Sequence, residues 1–253
     1  MMKIYVDNTA VEMGKRAADE TARLICKTIE EQGECRLLLS TGASQFEMFD
    51  ALVVKDLPWS KVTMYHLDEY VAMPDSHPAS FRRYLKERFI DKVHPCAWHF
   101  VNGEGDVCEN IRKLTESLRE KPIDVALIGI GENGHIAFND PPADFDTREA
   151  YIVVNLDEAC RRQQMGEGWF ATFDEVPKQA ISMTVWQIMQ SRHILSVVPG
   201  KRKAEAIRRT MAAPETTNLV PATMLREHPD CQLFLDVNSA STADPAILAH
   251  YLA

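Results

Sequence analysis

The 253-residue sequence predicts an α/β protein: a doubly wound, mostly parallel sheet with helices on both faces, Rossmann-like, in a single domain spanning residues 1–253. Short apolar runs alternate with longer segments of helical periodicity, which is the order that right-handed β-α-β crossovers produce. Several runs are apolar at successive positions, as in strands that helices cover on both sides. No Gly/Ser-rich linker divides the chain, so one domain is expected.

Each predicted strand is a short apolar run bounded by turn or capping residues. Helical periodicity fills the intervals between these runs. The first helix is predicted to be capped by Asn8 and to end near Gly33. The predicted strands cover residues 3–6, 36–40, 62–69, 124–131, 193–198 and 231–237, and the other predicted helices cover 46–53, 80–92, 107–119, 201–211 and 245–252.

The charge balance limits the classes of partner. Lys and Arg number 28 against 37 Asp and Glu, which gives a formal net charge of −9. Such a chain lacks the positive field that attracts nucleic acid or anionic lipid, so an anionic substrate would need a local basic pocket. No stretch reaches 18 apolar residues and the N-terminus has no secretory signal, which predicts a cytoplasmic protein without membrane contact. The six cysteines show no zinc-like spacing, so no metal site is expected.

A glycine pattern, Gly129-x-Gly131-x-x-Gly134, follows the apolar run at 124–131 and raises the question of a dinucleotide site. A dinucleotide fingerprint needs a long helix that opens at its last glycines. Here Pro141 and Pro142 would interrupt such a helix within seven residues. We therefore expect no nicotinamide or flavin cofactor. The glycines are instead expected to let the backbone approach a ligand closely.

Candidate acid/base groups lie just beyond two predicted strands. His135 stands beside the glycine pattern, and Asp140 follows across a short turn, so that the carboxylate could pair with the imidazole. Asp68 and Glu69 come at the end of the strand at 62–69 and add carboxylates at the same edge. A lone histidine here could equally be structural, and the two acidic residues could form a solvated turn or a helix cap.

Candidate anion-binding groups lie at two further strand ends. Lys201, Arg202 and Lys203 open a predicted helix at the end where cations are unfavourable, so a bound anion would compensate them. A solvated charge run is the alternative. The small residues after the second strand could expose backbone N–H groups to a phosphate, or form only a tight turn. These are Ser40, Thr41, Gly42, Ala43 and Ser44. Together the four strand ends suit proton transfer on a small phosphorylated molecule.

Residues 141–180 are the least regular part of the sequence. A segment of this kind beside a site is a candidate lid. A passive surface excursion is the alternative reading.

Four motifs resemble those of the glucosamine-6-phosphate deaminase (isomerase) family, which shares its fold with the 6-phosphogluconolactonases. They are "LSTGAS" (39–44), "LDEYVAMPDSHPASF" (67–81), "GIGENGHIAFNDPP" (129–142) and "PGKRKAEA" (199–206), and the similarity runs from about Ile4 to Ser241. "LDEY" followed by "HPASF" favours the deaminase branch over the lactonases.

The resemblance implies a reaction and a role for each motif. Asp68 would move a proton between C2 and C1, and His135, partnered by Asp140, would act at the ring oxygen. Lys203 and the backbone of residues 41–44 would hold the 6-phosphate, with Glu69, Gly131 and Gly134 also at the substrate. The implied reaction is ring opening, isomerisation and loss of ammonia to give fructose 6-phosphate, with no metal or organic cofactor and with the sugar phosphate as the partner. The sequence does not fix the oligomeric state, and a homo-oligomer is one alternative.

The sequence departs from the family pattern at several positions. Asn133 stands where some members have an aspartate of the catalytic group, and Asp140 stands where Glu is common. Gln164 replaces an expected phosphate-binding Arg, for which Arg161 or Arg162 could substitute. A galactosamine epimer as substrate, lactone hydrolysis and sugar-phosphate binding without catalysis therefore stay open as alternatives.

Overall fold

Ten strands and nine helices follow one another in the part of the chain that the computed structural model describes, residues 2–166 and 168–252. The strands are β1 (Lys3–Asp7), β2 (Cys35–Leu39), β3 (Val62–His66), β4 (Asp68–Tyr70), β5 (Ala97–His99), β6 (Val125–Ile128), β7 (Tyr151–Asn155), β8 (Gln179–Met183), β9 (His193–Val198) and β10 (Cys231–Asp236). The helices are α1 (Ala10–Gln32), α2 (Phe46–Leu52), α3 (Phe81–Leu85), α4 (Asp91–Val93), α5 (Val107–Arg119), α6 (Glu158–Gly166), α7 (Val185–Ile188), α8 (Ala204–Ala212) and α9 (Pro245–Tyr251). A π-helical turn, Lys86–Ile90, joins α3 to α4.

Seven strands form the main sheet in the order β1-β10-β9-β6-β2-β3-β5, and every neighbouring pair is parallel. Successive side chains of a strand point to opposite faces. Along β2, Leu37 packs in the same apolar cluster as Ile25 of α1, whereas Leu38 packs in a second cluster with Leu118 of α5. Both faces of the sheet are thus covered by helices, and the predicted fold class is confirmed.

A second sheet, not predicted from the sequence, has three antiparallel strands in the order β4-β8-β7. It divides the predicted strand 62–69, because β3 ends at His66 and β4 begins at Asp68. Leu67 bonds to both sheets: its N–H donates to Leu39 O (3.3 Å), and its carbonyl accepts from Met183 N (2.7 Å). Asp68 therefore lies at the junction of the two sheets.

Several element boundaries differ from the prediction. Residues 141–180 contain β7, α6 and the start of β8, so this segment is more regular than its composition indicates. The predicted strand 124–131 ends at Ile128, and the predicted helix 201–211 opens with a 3-10 turn before α8. The cap of α1 is Thr9, one residue after the predicted Asn8; its hydroxyl accepts the Glu12 N–H at 3.1 Å. Of the described helices, none has the length and apolar character needed to cross a membrane.

Candidate active site

A cavity of about 470 Å³ opens where β9, β6, β2 and β3, four neighbours in the main sheet, reach their carboxyl ends. This edge is where open α/β sheets bind their ligands. The loop after each of these strands contributes to the wall, and α6 covers one side. The predicted site residues that line the cavity are Ser40, Thr41, Gly42, Ala43, Ser44, Asp68, Gly131, His135, Lys201, Arg202 and Lys203.

The glycine loop after β6 places the imidazole of His135 against the backbone of Gly131. The Gly131 N–H donates to His135 O at 2.8 Å and closes a tight turn. A Cβ at Gly131 would stand 2.2–2.4 Å from three atoms of the imidazole, so only glycine fits beneath the ring. No helix follows β6 within residues 129–150, all of which the structure describes. Gly131 therefore makes room for the histidine, and the loop lacks the helix that a dinucleotide fingerprint needs.

His135 and Asp140 form a pair whose nitrogen and oxygen, Nδ1 and Oδ1, lie 3.0 Å apart. Asn133 holds both ends of this turn, since its amide donates to Asp140 Oδ1 (2.8 Å) and its carbonyl oxygen accepts the His135 N–H (3.0 Å). Burial alone would raise the pKa of Asp140. Contact with His135 and hydrogen bonds from Asn133 and Cys160 outweigh burial and lower this pKa to about 2. Asp140 is thus an anion that orients the imidazole.

Asp68 presents the other carboxyl group of the cavity, from the first position of β4. Its side chain is enclosed, with 7% of the residue exposed. Burial, and to a smaller extent the negative charge of Glu69, raise the pKa of Asp68 well above its usual value. A carboxylate that is disfavoured in this way binds a proton more strongly than a solvated one, which suits a general base.

Glu69 does not line the cavity, contrary to the prediction, because adjacent residues of a strand point to opposite faces. Its carboxylate, fully buried, accepts hydrogen bonds from the Ser80 hydroxyl (2.7 Å) and the N–H groups of Tyr70 (2.9 Å) and Arg82 (3.1 Å). Arg82 Nε lies 3.4 Å from the same oxygen that Ser80 contacts. Glu69 therefore binds β4 to the first turn of α3.

We expect Glu69→Gln to lower the free energy of unfolding by about 2–4 kcal/mol while leaving kcat within about threefold of wild type. An amide cannot accept from all these donors, and it leaves Arg82 without a buried counter-charge. Urea denaturation and initial rates under folding conditions measure the two effects. A variant that keeps full stability but loses turnover would show that Glu69 belongs to the reacting site.

Two turns form the end of the cavity at which the sequence predicts anion binding. Gly42 has a left-handed φ of 98° and begins the turn that leads into α2, and its carbonyl accepts the Tyr84 hydroxyl at 2.9 Å. Gly200, with a φ of 87°, begins the turn that carries Lys203. The buried carboxylate of Asp236 accepts the Gly200 N–H at 3.1 Å and holds this turn from beneath. Sequence reasoning did not identify Asp236, because its partner lies 36 residues away.

Other predicted residues lie away from the cavity. Gly134 packs against Val220, whose Cγ1 would be 2.8 Å from an added Cβ. Neither Arg161 nor Arg162 substitutes for the missing arginine: the first donates to Phe173 O and Val176 O, and the second pairs with Glu158. Lining residues that sequence reasoning missed as site residues include Glu47, Phe81, Phe138, Gln163 and Gln164. The "HPASF" motif was the available signal for Phe81.

Comparison with known proteins identifies the family. The sequence model described as "Glucosamine-6-phosphate isomerases/6-phosphogluconolactonase" matches residues 8–233. The chain belongs to this family. Within the family, it is 33% identical over 241 residues to a glucosamine-6-phosphate deaminase of Oenococcus oeni, covering 95% of this chain and 98% of that protein. It is 34% identical over 243 residues to one of Lactobacillus delbrueckii subsp. bulgaricus, covering 95% and 99%.

Solved structures give the same family relationship. A monomeric glucosamine-6-phosphate deaminase is 30% identical and superimposes with a TM-score of 0.86, over 95% of this chain and 100% of that one. A 6-phosphogluconolactonase of Thermotoga maritima is 16% identical, with a TM-score of 0.77 over 93% of this chain and 100% of that one. At that identity the lactonase shows a shared fold alone.

Proposed function

We propose that this family member converts glucosamine 6-phosphate and water to fructose 6-phosphate and ammonia. The observation that carries the proposal is that Asp68 and His135, the latter paired with Asp140, line the same cavity as Lys203 and the turn at 40–44. A base, an acid and an anion-binding end are the groups that this reaction needs. The 33–34% identity to deaminases over 95% of the chain supports the same reaction.

The first step assigned to the site is ring opening by His135. The imidazole gives a proton to the ring oxygen and takes up the proton that the C1 hydroxyl loses, so that the pyranose becomes the open-chain aldose. Asp140, held as an anion by its low pKa of about 2, orients the imidazole. Asn133 fixes the position of Asp140 relative to His135 through its hydrogen bonds to the Asp140 carboxylate and the His135 N–H.

The second step is the transfer of a proton from C2 to C1. Asp68 takes the C2 proton to give an enolamine and returns a proton to C1, which leaves a ketose imine at C2. Water adds at C2 and ammonia departs, giving fructose 6-phosphate. Lys203 and the backbone of residues 41–44 hold the 6-phosphate, so that C2 stays over Asp68.

An ammonia-release assay with glucosamine 6-phosphate, run beside hydrolysis of 6-phosphogluconolactone, tests this proposal. We expect ammonia from the amino sugar and no lactone hydrolysis above the uncatalysed rate. Lactone hydrolysis without ammonia would favour the lactonase alternative. Sugar-phosphate binding without either reaction would favour a non-catalytic binding protein, and faster turnover of galactosamine 6-phosphate would identify the other epimer as the substrate.

We also propose that residues 141–180 act as a lid on this cavity. Its helix α6 contributes Gln163 and Gln164 to the cavity wall, which supports a contact that forms around bound substrate. Amide hydrogen exchange in α6 should slow when fructose 6-phosphate is added. Exchange that is the same with and without the ligand would show that the segment is a passive part of the surface.

The resemblance implies an effector site in allosterically activated relatives, built from Ser, Arg and Lys side chains just after the catalytic loop. This chain offers Ala143, Asp144, Ala150 and Ile152 at the corresponding positions, and the two alanines are buried. None of the four side chains can donate to a phosphate. We therefore expect hyperbolic kinetics and no activation by N-acetylglucosamine 6-phosphate. A sigmoidal velocity curve that this ligand makes hyperbolic would contradict the expectation.

We propose a cytoplasmic location for a metabolic enzyme of this kind, which cell fractionation tests. The oligomeric state stays open between a monomer and a homo-oligomer, and the deaminase of known structure with a TM-score of 0.86 is monomeric. Light scattering decides between a mass of 28.6 kDa and a multiple of it.

A further inference from the structure

Helix α6 touches the cavity and the acid/base pair with one face. Cys160 and Gln164 are four residues apart, and side chains at this spacing lie on the same face of a helix. Cys160 is hydrogen bonded to Asp140, the partner of His135. Gln164 lines the cavity, with 6% of the residue exposed. Gln164 therefore lies one helical turn from Cys160, the residue that contacts Asp140.

Tyr70 fixes the direction of the Gln164 amide. The Tyr70 hydroxyl donates to Gln164 Oε1 at 2.7 Å in a buried contact. The Tyr70 ring is itself held by aromatic neighbours, with ring centroids 5.1 Å from Phe81, 5.3 Å from Phe138 and 5.6 Å from Phe170. Because the amide oxygen faces Tyr70, the nitrogen is the end that remains for the cavity. Gln164 Nε2 has no hydrogen-bond partner among the residues that the structure describes.

We propose, on the basis of the proposed function, that Gln164 binds the substrate by donating from Nε2 to an oxygen of the bound sugar phosphate. Tyr70 is the positioning residue that keeps the amide in this orientation. An amide whose oxygen is occupied can only donate, so its partner must be an acceptor, either a phosphate oxygen or a sugar hydroxyl oxygen. A neutral donor supplies this contact without the cost of burying another charge in the cavity.

Steady-state kinetics of two Gln164 variants test the contact. Gln164→Met removes the donor, whereas Gln164→Glu can still accept from Tyr70 but cannot donate to the substrate. We expect both to raise KM about fivefold or more, as the loss of one buried hydrogen bond does, with kcat within about threefold of wild type. Arg162→Met, on the exposed face of the same helix, is the matched control and should leave both constants unchanged.

The positioning role of Tyr70 is tested by a double-mutant cycle. Tyr70→Phe should raise KM about two- to threefold, and the double variant Tyr70→Phe/Gln164→Met should match Gln164→Met alone, because Tyr70 acts through the amide. A purely structural effect of Tyr70 would instead multiply the effect of Gln164→Met. Such independent effects, or a KM of Gln164→Met within twofold of wild type, would overturn the proposal.

Calorimetric binding of fructose 6-phosphate and of inorganic phosphate separates this inference from the proposed function. Weaker fructose 6-phosphate binding by Gln164→Met supports the contact even if the wild-type protein releases no ammonia. If binding of inorganic phosphate weakens in parallel, the acceptor is a phosphate oxygen; if it is unchanged, the acceptor is a sugar hydroxyl. Unchanged affinity for fructose 6-phosphate would overturn the inference whatever the ammonia assay shows.

Discussion

Asp68→Asn is expected to lower kcat by about 10²–10⁴-fold, the range that general-base catalysis contributes. The amide keeps the size of the carboxyl group but cannot accept the C2 proton. Affinity for inorganic phosphate should stay within about twofold of wild type, because Lys203 and the turn at 40–44 are untouched. Initial rates of ammonia release and calorimetry measure the two quantities. Turnover within about threefold of wild type would remove Asp68 from the mechanism.

The pH dependence of stability provides the control for this variant. Burial raises the pKa of Asp68 above its unfolded value of 3.8, so the protonated carboxyl group is the form that the folded state favours. The stability associated with this group is therefore present below pH 3.8 and is lost as pH rises through the folded pKa. The stability of Asp68→Asn should equal that of wild type near pH 3.5 and exceed it at pH 8. Lower stability than wild type at pH 8 would show that the carboxylate is structurally required.

Glu69→Gln is the matched comparison for Asp68→Asn. Both changes convert a buried carboxyl group of β4 to an amide, at adjacent positions that face opposite sides. We expect Asp68→Asn to lose turnover without loss of stability, and Glu69→Gln to lose stability while it keeps turnover. This reciprocal pattern separates the reacting carboxyl group from the structural one without any assumption about expression or folding yield.

His135→Gln is expected to lower kcat for glucosamine 6-phosphate by about 10²-fold or more, because ring opening loses its acid. The 5-deoxy analogue of glucosamine 6-phosphate lacks the C5 hydroxyl that closes the pyranose ring. Its turnover by His135→Gln should therefore fall by no more than about threefold relative to wild type. Ammonia release from the two substrates by one enzyme preparation gives the comparison. Equal losses on both substrates would remove His135 from ring opening.

The fold class was predictable because its signals are local. Continuous apolar runs such as that of β2 mark buried parallel strands, and helical periodicity marks the crossovers between them. The second sheet gave no comparable signal, because β4 has three residues and joins β3 after a single intervening residue, Leu67. Three residues are too few to show a period. The division of the predicted strand 62–69 into β3 and β4 is therefore seen only in the hydrogen bonds of Leu67 to both sheets.

The candidate site was predictable where its residues are neighbours in the sequence. His135 and Asp140 are five residues apart, and Pro141 and Pro142 directly after them limited this stretch to a turn. Asp68 and Glu69 point in opposite directions because successive side chains of a strand alternate between its two faces. This alternation could have indicated that only one of the two contacts the substrate. The Gln164–Tyr70 contact joins residues 94 positions apart, and no periodicity links them.

Turnover of C2-deuterated glucosamine 6-phosphate, followed by NMR and by ammonia release, tests the central claim most directly. The account predicts ammonia and fructose 6-phosphate in equal amounts, with the deuterium moved from C2 to C1 or exchanged into water, and with neither product formed by Asp68→Asn at a comparable rate. Ammonia without fructose 6-phosphate, deuterium retained at C2, or hydrolysis of 6-phosphogluconolactone with no ammonia from the amino sugar would contradict it.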